Sequence, residues 1–75
     1  MIDEMEHVVL NCDLPEHKLA RGDIGTAVLV HNQGKGYEVE FITLDGETVA
    51  VVTLDSSQVR PVEHGEIAHV RSIGG

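Results

Sequence analysis

The stretch from Tyr37 to Gly46 constrains this chain more than any other. Tyr37, Val39 and Phe41 alternate with Glu38 and Glu40, the period-2 signature of a strand with one buried face. It continues through Ile42-Thr43-Leu44 to Asp45-Gly46, a pair that favours a tight hairpin turn. A second β-prone run, Thr48-Val49-Ala50-Val51-Val52-Thr53-Leu54, starts just beyond. The pair reads as the central hairpin of an all-β domain.

The chain around that hairpin divides in order. Residues 1–6 read as an acidic N-terminal tail, 7–62 as the domain and 63–75 as a C-terminal tail, flexible or docked on a neighbour. His7-Val8-Val9-Leu10 forms the first strand. Residues 11–23 form a long loop: Pro15 interrupts regular structure, a turn of 3₁₀ helix is expected near 15–18, and Leu14 and Leu19 plug the loop onto the core. Gly22 is a candidate for positive φ. Ile24–His31 is the second strand, with Gly25 placed for a bulge or a close backbone approach. Asn32–Gly36 is a turn into the Tyr37 strand. After Asp55-Ser56-Ser57, Gln58–Val62 is a short last strand, and Pro61 confines it to an edge or marks its end. Ile67, Val70 and Ile73 recur three apart in the tail without a clean period. Five short strands with one long first loop predict a small SH3-like barrel, whose closure would remove most open edges. An open meander is the alternative.

Composition limits function. The chain has 75 residues, 13 acidic against 5 basic, for a net charge of −8. That charge repels phosphate backbones and anionic membranes, and it steers toward basic proteins. A single domain of this size buries only about 60% of its unfolded surface, so a partner or a second copy can supply missing burial. One cysteine and an acidic start without an export signal point to a reducing cytoplasm.

No catalytic or cofactor constellation emerges. His64 and His69 lie five apart, while His7, His17 and His31 are scattered, so no zinc-type pair forms and no metal is expected. Cys12 precedes Asp13, and a neighbouring acid disfavours the thiolate. Gly34-Lys35-Gly36 lacks the frame of a phosphate loop. Arg21-Gly22-Asp23 is explained by loop-to-strand geometry.

Two surfaces remain. Glu38 and Glu40 point outward from the central strand, Asp45 and Glu47 stand at its hairpin tip, and Asp13, Glu16 and Asp23 lie in the long loop. If the loop folds over the same side, these acids make one protein-binding face for a basic partner. Apolar residues also occupy both parities of the second and fourth strands. Some of Ala27, Leu29, Val49 and Val51 are therefore exposed, with Leu29, Val49 and Val51 forming a candidate apolar patch. The tail, a second copy or another protein would cover it.

Leu14-Pro15-Glu16-His17, Arg21-Gly22-Asp23-Ile24-Gly25-Thr26, Tyr37–Phe41, Asp45-Gly46-Glu47-Thr48 and Gln58-Val59-Arg60-Pro61 occur in that order. Together they resemble a family of small bacterial proteins classed as a domain of unknown function, over roughly residues 7–62. The resemblance implies an SH3-like fold and an accessory, immunity or antitoxin-like role beside toxin-like partners. The chain departs from the pattern at Leu29, where a charged residue is common, and in the tail beyond Pro61. The segment Arg21–Thr26 also resembles the start of a KOW-type module, which implies nucleic-acid binding, but the basic and stacking residues expected for that role are absent. A non-catalytic protein-binding module is the function expected here. A KOW-like module and a structural subunit of an enzyme complex are the alternatives.

Overall fold

The alternation from Tyr37 to Phe41 places those three side chains in the core of an antiparallel sheet, all nearly inaccessible to solvent. The computed structural model describes residues 2–74; the expectations for Met1 and Gly75 as parts of the tails lie outside the described residues. Among the described residues five strands form: β1 (Glu6–Leu10), β2 (Ile24–His31), β3 (Gly36–Ile42), β4 (Thr48–Asp55) and β5 (Val59–Pro61). They make one sheet in the order β4-β3-β2-β1-β5, with every neighbouring pair antiparallel. The expected barrel closure is absent. The sheet is open, with β4 and β5 as its edges. Pro61, which lacks an N–H, ends β5 on that edge.

The apolar runs on both parities of β2 and β4 have a common cause. In β2 the pairing passes from Ala27 opposite Val39 to Leu29 opposite Glu38, so Val28 is an inserted residue. In β4 it passes from Ala50 opposite Phe41 to Thr48 opposite Ile42, so Val49 is inserted. Each bulge switches the inward parity of its strand. The inner face is then Val8 and Leu10 from β1, Ala27 and Val30 from β2, Tyr37, Val39 and Phe41 from β3, Ala50, Val52 and Leu54 from β4, and Val59 from β5. Burying each large side chain contributes about 1.5–3 kcal/mol.

Gly25 answers to a different constraint. A Cβ there would lie 2.7 Å from Val39 Cγ1, 2.9 Å from the Glu40 carbonyl oxygen and 2.9 Å from Phe41 Cε1. Only a residue without a side chain lets β2 lie this close to β3.

The long loop closes over the inner face. Pro15–His17 is a single 3₁₀ turn, ended by Lys18 in the left-handed region. Leu14 and Leu19 flank it, bridge each other through backbone hydrogen bonds and are buried in the core. Gly22 has a positive φ of 95°. The opening segment also joins the core: Ile2 is buried there, and the Met5 N–H donates to the Ala27 carbonyl. The β3–β4 connection is longer than a two-residue hairpin. β3 ends at Ile42, the Gly46 N–H donates to the Thr43 carbonyl, and Gly46 takes a positive φ of 94°. Leu44 therefore lies at the turn rather than in a strand, and it is exposed. Beyond β5 the chain runs without regular secondary structure to Gly74 as an extended arm whose residues are all exposed. No helix among the described residues is long and apolar enough to cross a membrane.

Candidate functional site

The two bulges bring the acidic residues of β3 and part of the apolar patch onto one surface. With the inner face assigned, the outer face reads Thr48, Val51 and Thr53 on β4, Ile42, Glu40 and Glu38 on β3, Ile24, Thr26 and Leu29 on β2, and His7 and Val9 on β1. Leu29 stands opposite Glu38, and Glu40 stands opposite Val51. Leu29 is 43% exposed and Val51 54%. Val49, read from the sequence as part of the patch, is instead the bulge residue, half-buried and packed against the core.

Glu38 is held in place. Its Oε2 accepts from Thr53 Oγ1 at 2.7 Å and from His31 Nε2 at 2.9 Å. The Thr53 hydroxyl, followed by His31, keeps its carboxyl below the ordinary glutamate range. Glu38 is therefore an oriented anion on the strand next to the exposed Leu29. Glu40 accepts only a long 3.4 Å contact from Thr48 Oγ1.

The other predicted acids do not join this face as one patch, because the loop covers the inner side. Asp13 Oδ1 accepts from the Arg21 N–H at 2.9 Å, a bond within the loop. Asp23 accepts from the Ala20 N–H at 2.8 Å and from Arg71 of the arm. Partial burial pushes the Asp23 carboxyl up, but the Arg71 hydrogen bond and charge, with the Ala20 N–H, outweigh it and leave the group below its usual value. Asp45 accepts from Thr43 Oγ1 in the β3–β4 turn. Glu16 and Glu47 meet across a shallow depression shared with Lys18 and Ile73.

The sequence marks a tail over residues 63–75 but not the ion pairs that pin it. Arg60 makes a two-pronged ion pair with Glu66, at 2.9 Å from Nη1 to Oε1 and 2.6 Å from Nη2 to Oε2. Arg60, with the Glu63 N–H, holds the Glu66 carboxyl down to about 2. Arg71 bridges back to Asp23 and donates to the Lys18 carbonyl at 3.1 Å. Between these pins the arm borders an open groove of about 900 Å³, whose other wall is Ile24, Ile42 and the β3–β4 turn, with Leu19, Phe41 and Val49 at the end of the sheet. The three-residue spacing of Ile67, Val70 and Ile73 was the available signal, but nothing local to the arm identifies Asp23 as its anchor. Among the described residues no group of three His, Cys, Asp or Glu side chains is arranged to hold a metal ion.

Fold and surface together define the class: a small antiparallel β-sheet domain, open at both edges, whose outer face carries carboxylates beside exposed apolar side chains. Within that class the chain belongs to the family described as "Domain of unknown function (DUF4926)", whose model matches residues 4–61. The arm from Val62 onward lies beyond the match. No curated protein and no solved structure matches the chain.

Proposed function

We propose that this protein is a non-catalytic binding module that recognises a basic protein partner through the outer face of its sheet, as an antitoxin, immunity or regulatory accessory protein in the bacterial cytoplasm. The observation that carries the reading is the juxtaposition of Glu38 and Glu40 with the exposed Leu29 and Val51 on one face. An oriented carboxylate, Glu38, beside the freer Glu40 and flanked by apolar side chains, suits a surface that steers a cation and then excludes water around it. The net charge of −8 acts in the same direction over longer range. The strand order and the long first loop support reading the fold as an SH3-like sheet that stops short of closing.

The test is affinity capture from native lysate, followed by mass spectrometry and salt elution. The reading expects a stoichiometric basic protein released by moderate salt. Absence of any stoichiometric partner, or binding indifferent to salt, would overturn it. One observation favours a second reading, assembly between copies: β4 is an eight-residue open edge without Lys or Pro. A strict monomer in sedimentation at high concentration would remove that reading.

A further inference from the structure

We propose that the groove between the arm and the outer face seats a basic, amphipathic segment of the partner protein; the inference rests on the protein-binding reading and assigns its apolar half. Ile24, Ile42 and Leu44 line the groove from the sheet side, and Val62, Ile67 and Val70 line it from the arm. Two apolar side chains of the arm are not spent on the sheet: Ile67 is 93% exposed and Val70 74%. Its ion pairs hold it at two points, Glu66 on Arg60 and Arg71 on Asp23. Both walls thus keep water-exposed apolar surface facing a shared space of about 900 Å³, enough for several side chains.

Charge selects the occupant. The groove is bordered by Asp23, Asp45, Glu47 and Glu66 against Arg60 and Arg71. Both guanidiniums are already engaged by Glu66 and Asp23, so Asp45 and Glu47 are left to face an incoming segment. Glu40 lies two residues before Ile42 on the same face of β3, so the nearest carboxylate of the acidic surface is one step along the strand from the groove wall. A second copy of this chain would bring a further −8 to an acidic rim, and phosphate-bearing ligands are repelled on the same ground. A segment with apolar residues on one side and Lys or Arg on the other satisfies both halves of the surface.

Fluorescence anisotropy tests this on the full chain. The probe is a labelled synthetic peptide of Leu and Lys arranged with helical amphipathic spacing, beside an isomer of the same composition with that spacing scrambled. The amphipathic peptide is expected to bind at least about tenfold more tightly than the scrambled one. The double variant Ile42→Ser and Ile67→Ser changes no charge and alters two exposed side chains; it is expected to abolish that preference. Equal binding of both peptides, weakened by Glu38→Lys and Glu40→Lys but not by the serine variant, would overturn the groove while sparing the acidic face. Binding of neither peptide would count against both. A dimer that the serine variant turns into a monomer would make a second copy the occupant and also overturn the proposal.

Discussion

Replacing Gly25 by alanine adds one methyl group where three atoms already sit too close. Ordinary carbon contacts lie near 3.5–4.0 Å. The new Cβ would meet Val39 Cγ1 at 2.7 Å, the Glu40 carbonyl at 2.9 Å and Phe41 Cε1 at 2.9 Å. The carbonyl belongs to the backbone of β3, which pairs with strands on both sides and cannot swing away. Val39 is branched and fully buried, so its methyl cannot rotate clear without displacing the core. Relief therefore requires β2 to move off β3 around the Thr26–Glu40 pair. Overpacking of this kind costs about 1–3 kcal/mol, which in a domain this small lowers Tm by roughly 4–8 °C per kcal/mol. Gly36→Ala is the control, since its Cβ would find nothing nearer than 3.7 Å and its φ is not positive. Urea unfolding of both variants, followed by circular dichroism, measures the difference. Gly25→Ala within about 0.5 kcal/mol of the parent chain would refute the close approach of the two strands.

Three further outcomes follow from the same structure. Leu10→Ala, deep in the core, is expected to cost about 2–5 kcal/mol, whereas Leu29→Ser and Val51→Ser on the outer face stay within about 0.5 kcal/mol; urea melts distinguish them. Glu66 and Asp23 both have carboxyls depressed in the folded state, so the attachment they give the arm is present above their unfolded values and is lost as pH falls through the folded ones. For Glu66 that window runs from 4.5 down to about 2, and the heteronuclear 15N NOEs of residues 63–74 should fall across it while those of the core strands stay high. Thr53→Val removes the largest contributor to the depressed Glu38 carboxyl, and an NMR titration should show that group moving back toward the ordinary glutamate range.

The parts of this fold that were legible depend on local pattern. The inner parity of β3 was unambiguous because charged and apolar residues alternate there without interruption. Leu14 and Leu19 were recognisable as plugs because they are the large apolar residues in an otherwise polar loop. The faces of β2 and β4 were not legible. Inserted residues at Val28 and Val49 reverse the parity, and a bulge flanked on both sides by apolar, β-prone residues leaves no mark in the sequence. Surplus hydrophobicity signals an apolar patch, but not that Val49 turns inward or that Ile24 and Ile42 belong to the outer face. Barrel closure was inferred from strand number, whereas closure depends on curvature that no run of residues encodes. The loop's acids were expected beside Glu38 and Glu40, but Leu14 and Leu19 draw that loop to the opposite face. The Asp23–Arg71 bridge spans 48 positions and has no local signature.

Glu38 and Glu40 have come to matter together with what surrounds them. They are the charged centre of a face whose apolar parts extend from Val51 and Leu29 to the groove beneath the arm. Calorimetric titration of the captured partner into the parent chain and into the Glu38→Lys, Glu40→Lys variant tests this claim most directly, with circular dichroism verifying that the variant stays folded. The predicted result is a salt-sensitive affinity that falls by at least about tenfold in the variant. An unchanged affinity in a folded variant would contradict the account and leave the two glutamates as a solvated strand face.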